Sequence, residues 1–274
     1  MTLIDVDGLR LNVEEAGDGP PLVLLHGFTG AAAGWAPVVE SLGPGFRTIA
    51  IDIVGHGASD APEAVDRYAM RRCVDDLVAV VRSLGHERAH WLGYSMGGRT
   101  ALQVAVHRPD AVSSLVLEGA TPGLDGEERA ARIVSDEGMA DGIERDGVPT
   151  FVDFWESIAL FETQRSMPQD VQDGVRAGRL ANSAVGLANS LRGMGAGAQD
   201  PVHDQLSAVT VPTLLVAGSL DAKFTQIAHE MAAKLTDATV ELIADAGHAA
   251  HLERPSEFGD LAGAFLRRQV VATA

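Results

Sequence analysis

Short apolar runs alternate along this chain with stretches in which apolar residues recur every three or four positions. LVLLHG (22–27), TIAIDI (48–53), AHWLGY (89–94), VSSLVLEG (112–119), TLLVAG (213–218) and TVELIAD (239–245) are short and largely apolar, and they end in Gly, Asp or His. They read as buried strands. Helical patterns lie between them at about 71–84, 96–107, 224–235 and 256–268, the last with Ser256 of RPSEF as a plausible N-cap. A strand–helix–strand repeat predicts an α/β fold, a mostly parallel central sheet covered by helices on both faces. Ligands are expected at the carboxyl ends of its strands.

The repeat stops at 120–205. That stretch reads as several helices joined by glycine-rich loops, with no convincing strand. Its apolar and charged residues recur at helical spacing, so a helical cap is expected, inserted into a core made of 1–119 and 206–274. No internal repeat or low-complexity tract is visible.

Composition narrows the function. The formal charge is −17, which disfavours nucleic acid and anionic membranes as partners. No apolar stretch approaches the ~18 residues of a membrane span. The start, MTLIDVDGLRLNVEE, has acidic residues where a signal peptide would be basic and then apolar, so a cytoplasmic protein is expected. The single cysteine, Cys73, forms no internal disulfide or cysteine-cluster metal site and is expected as a buried thiol. Of the 21 basic residues 19 are arginine, and Lys223 and Lys234 are the only lysines. A chain this acidic repels an anionic ligand at long range, so a site for one needs cations placed locally.

The chemistry centres on Gly93-Tyr94-Ser95-Met96-Gly97, which fits the G-x-S-x-G turn that projects a serine between a strand and a helix. A serine hydroxyl is a poor nucleophile or base without a histidine and an orienting carboxylate. In the order this turn requires, Asp221 follows TLLVAG and His248 follows TVELIAD. That order favours Asp221 over Asp245, which lies three residues before His248. Met96 and Phe28, the latter in HGFTG, are the candidate backbone donors of an oxyanion hole. His26 and His56 are expected to stabilise tight turns, Asp52 to fix a loop, and His251 to be structural. No histidine pair has metal-ligand spacing, so no metal is expected.

These motifs resemble the α/β-hydrolase superfamily, which implies that fold but leaves the reaction open. The set LHGFTG, GYSMGGR, PGLDGEERAARIVSDEGMADGIERDG, FVDFWE, SLRGMGAGAQ and DAKF further resembles the 2-succinyl-6-hydroxy-2,4-cyclohexadiene-1-carboxylate synthases, lyases of menaquinone biosynthesis, from about residue 20 to 258. Two positions depart from that pattern, Ala196 in place of threonine and His203 in place of tryptophan. The resemblance implies a substrate with three carboxylates, a triad that works as a base, and no metal or organic cofactor. It further implies substrate-binding roles for Tyr94, Arg99, Arg132, Trp155, Arg179 and Lys223. Arg129, Arg145, Arg165 and Arg192 are as readily explained by pairing with neighbouring acids. Two other readings remain at this level: a serine hydrolase acting on a small acidic ester or diketone, and a non-catalytic ligand sensor. A monomer or small homo-oligomer is expected.

Overall fold

A computed structural model describes residues 1–273. Its elements in chain order are β1 (Thr2–Val6), β2 (Leu9–Ala16), β3 (Pro21–Leu25), α1 (Ala36–Leu42), β4 (Arg47–Ile51), α2 (Met70–Ser83), β5 (Ala89–Tyr94), α3 (Met96–His107) and β6 (Val112–Glu118). After these come α4 (Gly126–Ser157), α5 (Gln169–Leu180), α6 (Ala184–Met194), β7 (Thr213–Gly218), α7 (Ala222–Ala232), β8 (Ala238–Ile243), α8 (Ala250–Glu253) and α9 (Pro255–Thr273). The eight strands form one sheet in the order β1-β2-β4-β3-β5-β6-β7-β8. The pairings β1 with β2 and β2 with β4 are antiparallel, and all the others are parallel.

Six of these strands occupy the six apolar runs. The two that the apolar pattern does not flag are β1 and β2, an antiparallel hairpin with few consecutive apolar residues. Its turn is Asp7-Gly8, both at positive φ, the dipeptide that suits a tight hairpin. The strand β8 also departs from expectation. Its apolar run predicts a buried strand, but it is the sheet's edge and exposes Glu241 and Leu242.

Alternate residues of the central strands pack into different layers. Val23 and Leu25 face a core completed by Val74, Leu77 and Val81 of α2 and Leu102 of α3. Leu22 and Leu24 face the other side, against Val38 and Leu42 of α1 and Phe258, Phe265 and Leu266 of α9. Burial on both faces is why these strands read as continuous apolar runs.

Among the described residues no strand lies between β6 and β7. The helix α4 is broken at Gly147 (φ 82°, ψ 164°), where the backbone leaves helical geometry. Ile143, Phe151 and Val152 of α4 pack on Leu187, Ala188 and Leu191 of α6, giving these helices an apolar core of their own. Arg192 of α6 binds three α4 acids, Glu137, Asp141 and Glu144. A short 3-10 helix, Ala159–Ser166, follows α4. The helical segment is tied to the core by Asn182, which donates to Thr29 O and accepts from Gly57 N–H. Among the described residues no helix is long and apolar enough to cross a membrane.

Candidate active site

The elbow at Ser95 is built by glycines. Ser95 sits at φ 50°, ψ −107°, a conformation an L-residue adopts only when its surroundings impose it. A Cβ on Gly97 would run into Leu25 O, and one on Gly93 would meet Gly97 O. Glycine at both positions therefore lets α3 start hard against β3 and β5. The Ser95 N–H donates to Glu118 O at 2.8 Å, which pins the turn to β6.

The partners arrive from the ends of two later strands. His248 Nε2 lies 3.1 Å from Ser95 Oγ, and its Nδ1 lies 2.8 Å from Asp221 Oδ2. With the Nδ1 proton facing the carboxylate, the Nε2 lone pair faces the serine hydroxyl. Asp221 is the N-cap of α7, and its Oδ1 accepts from Phe224 N–H at 3.1 Å, so one oxygen is fixed by the helix and the other by the imidazole. Asp245 makes no such contact with the imidazole; its N–H donates to Ser219 Oγ. The His248 ring packs between Phe224, at 4.4 Å, and Tyr94, at 5.3 Å between centroids.

Above Ser95 opens a cavity of about 560 Å³ between the core and the helical segment. Phe28, Tyr94, Met96, Arg99, Arg132, Trp155 and Lys223 all line it, together with Ser95 and His248. Arg99 is buried, and its guanidinium donates to two uncharged oxygens, Met194 O at 3.1 Å and Gln199 Oε1. Burial, with the like charge of Arg132 beside it, pushes its pKa down to about 10. Arg132 donates through Nε to Asp136 at 2.7 Å. Lys223 is largely exposed at the cavity mouth, 3.8 Å from Glu128. Tyr94 is buried, which together with nearby Glu118 raises its pKa and keeps the phenol neutral.

Arg179 is set apart from this group. It lines a smaller neighbouring pocket, donates to Glu156 and Gln164, and lies over the Phe161 ring at 5.1 Å. Phe161, not Arg179, faces the main cavity. Among the arginines read as equally explicable by acids, Arg129 pairs with Asp200, Arg145 with Asp146, and Arg192 with its three carboxylates. Of the two positions that depart from the family pattern, Ala196 lines the cavity, while His203 pairs with Asp125 outside it.

The histidines at 26 and 56 support the loop that carries Phe28. His26 Nε2 accepts from Ile53 N–H, and its Nδ1 lies 2.8 Å from Gly27 O. Buried Asp52 accepts from the N–H groups of Ala32 and Ala58 and from Asn12 Nδ2.

Several residues that pattern reading passed over hold the frame. Buried Glu118 takes the His251 N–H at 3.0 Å and sits 2.8 Å from His251 Nδ1, while the His251 ring packs at a tilt against Tyr94, 4.5 Å between centroids. Buried Glu253 accepts from Gly247 N–H. Both are acids at the edges of apolar stretches. A carboxylate there is costly unless paired, and that cost is the signal that could have found them.

A family model described as alpha/beta hydrolase fold matches residues 20–255. A Bacillus subtilis (strain 168) relative, 42% identical over 95% of this chain and 96% of its own, carries the provisional name 2-succinyl-6-hydroxy-2,4-cyclohexadiene-1-carboxylate synthase. A Salmonella paratyphi C protein of that name is 33% identical over 90% of this chain and 94% of its own. The solved structure of MenH from S. aureus superposes with a TM-score of 0.90 at 30% identity, covering 94% of this chain and 98% of that one. Near full-length identity at this level, on the same fold, places the chain in the 2-succinyl-6-hydroxy-2,4-cyclohexadiene-1-carboxylate synthase family of the α/β-hydrolase fold.

Proposed function

We propose that this chain is a carbon–oxygen lyase of menaquinone biosynthesis that eliminates pyruvate from 2-succinyl-5-enolpyruvyl-6-hydroxy-3-cyclohexene-1-carboxylate, leaving 2-succinyl-6-hydroxy-2,4-cyclohexadiene-1-carboxylate. The observation that carries this reading is Arg99, a buried guanidinium one turn after Ser95 that lines the cavity and hydrogen-bonds two uncharged oxygens, while the acid near it, Asp136, is already paired with Arg132. A buried cation so placed is stabilised by an anionic ligand, and a simple ester offers none.

In this reading residues 120–205 form a cap over the site, and the protein works in the cytoplasm. The substrate carboxylates lie toward Arg99, Arg132 and Lys223, with Tyr94 and Trp155 against the ring. Arginine suits this role because its planar fork meets a carboxylate with paired hydrogen bonds. Arg179 is not among these cations: Glu156 and Gln164 hold it on the far side of Phe161.

The triad serves as a base. His248 takes the Ser95 proton, and the serine oxygen, or His248 through it, removes the proton α to the succinyl ketone. Asp221 holds the imidazole and balances its charge. The enolate oxygen lies toward the Met96 and Phe28 amides. The electron pair moves through the ring double bond, the carbon–oxygen bond to the enolpyruvyl group breaks, and the pyruvate enolate that leaves takes at carbon the proton held on His248, becoming pyruvate. Water is not consumed and no bond to Ser95 forms.

The test is turnover of the enolpyruvyl substrate beside an aryl ester, with mass spectrometry of the intact protein during each reaction. Pyruvate release with no adduct on Ser95 supports the lyase. No pyruvate release, with fast ester cleavage through an acyl-Ser95 adduct, overturns it in favour of a serine hydrolase.

A further inference from the structure

The loop that presents His248 is held by a residue of the helical segment. Thr163, in the 3-10 helix after α4, donates its hydroxyl to Glu253 Oε1 at 3.0 Å. The other oxygen of that carboxylate, Oε2, accepts from Gly247 N–H at 2.9 Å, and Gly247 immediately precedes His248. Glu253 is buried, so its charge is supported by these donors and not by water. The fit is close, since a Cβ on Gly247 would collide with the Thr163 hydroxyl. The same 3-10 helix places Phe161 in the cavity and 6.4 Å from the His248 ring.

We infer that Thr163 is a positioning residue for His248: through Glu253 it sets the Gly247–His248 backbone, so that the imidazole meets Ser95 correctly only when the helical segment is seated on the core. The inference rests on His248 being the reacting imidazole proposed above. A segment that moves for substrate entry would then report its seating to the base by one hydroxyl. An imidazole displaced by a fraction of an ångström loses proton-transfer efficiency and leaves the carboxylate-binding cations untouched. The consequence therefore falls on kcat and not on KM.

Thr163→Val removes the hydroxyl and keeps the shape, and Thr163→Ser restores the hydroxyl. Pyruvate release should fall about tenfold in kcat for Thr163→Val, with KM within twofold of the parent and a melting temperature within a few degrees. Thr163→Ser should recover most of the rate. Should Thr163→Val fail to fold, Thr163→Ala, which is smaller at every atom, carries the same expectation. A second readout is the rate at which diisopropyl fluorophosphate labels Ser95, which depends on His248 whatever the natural substrate. It should fall by a similar factor in Thr163→Val and recover in Thr163→Ser. If the parent releases no pyruvate but labelling shows this pattern, the lyase reading fails and the role of Thr163 stands. Unchanged labelling and kcat in Thr163→Val, a loss seen only in KM, or a loss that Thr163→Ser does not repair would overturn the inference.

Discussion

The Arg99 guanidinium donates to Met194 O at 3.1 Å, joining the helix that follows the nucleophile elbow to the last residue of α6. A side chain that could have reached a surface acid is instead buried against a carbonyl, with one face on the cavity. Burying the cation there costs desolvation energy, which the carboxylate of the proposed substrate would offset.

Arg99→Met keeps much of the side-chain length and removes the charge. It should raise KM for the enolpyruvyl substrate about 30-fold or more, the low end of what is expected when a buried charged partner is lost, with a smaller change in kcat. Steady-state kinetics decides this. An unaltered KM would mean that Arg99 serves the fold and not the ligand.

The Ser95 hydroxyl, 3.1 Å from His248 Nε2, is asked to carry a proton. Ser95→Ala should lower kcat by about 10³-fold or more while substrate binding, followed by calorimetry, stays within a few-fold of the parent. Asp221→Asn should approach the same loss by favouring the wrong imidazole tautomer. Retention of more than a tenth of the activity by Ser95→Ala would place the base elsewhere.

Buried Asp52 ties the end of the loop from His26 to Ala32 to Ala58 and to Asn12 of β2 by accepting one hydrogen bond from each of Ala32, Ala58 and Asn12. Asp52→Ala leaves those three donors without a partner and should cost about 3–5 kcal/mol of stability, measured by urea unfolding. Asp52→Asn keeps part of the acceptor capacity and should cost less. A loss below about 1 kcal/mol for the alanine variant would show that the loop holds its shape without the carboxylate.

Three buried histidines set a pH dependence. Burial, with His26 nearby, lowers the His56 pKa to about 3; burial and Arg88 lower His90 to about 4; and burial lowers His26. The folded chain keeps these rings neutral, whereas the unfolded chain protonates them near 6.5. Below that value the unfolded state binds more protons. Their contribution is therefore complete above about pH 6.5 and is lost as pH falls toward 4 and then 3. Urea unfolding between pH 7.5 and 5, above the ordinary carboxylate range, should show a decline reaching roughly 2 kcal/mol at pH 5 for each of His56 and His90, with His26 adding in the same direction. A flat profile over that interval would mean that the rings titrate normally.

The sheet was legible where strands are buried on both faces, because continuous apolar runs such as TLLVAG have few other uses. The β1–β2 hairpin was not, since it alternates polar and apolar residues, although Asp7-Gly8 marked its turn. Edge exposure of β8 depends on strand order, which a local run does not encode. Ser95, Asp221 and His248 were legible because one chain order and one glycine-bounded turn constrain them. Arg179 looked like its fellow arginines along the chain. Only the fold shows that Glu156 and Gln164 hold it behind Phe161. Thr163 and Glu253 act across 90 positions of sequence and leave no spacing to read.

The central claim is elimination without water, and it is tested by following both products of one reaction. The enolpyruvyl substrate is mixed with the protein, pyruvate is recorded by coupling to lactate dehydrogenase, and the conjugated ring diene is recorded by its absorbance. Pyruvate and diene should appear together in a one-to-one ratio, and formation of both should stop in Ser95→Ala. Pyruvate without diene would show hydrolysis of the enol ether and rule out elimination, as would the absence of both products.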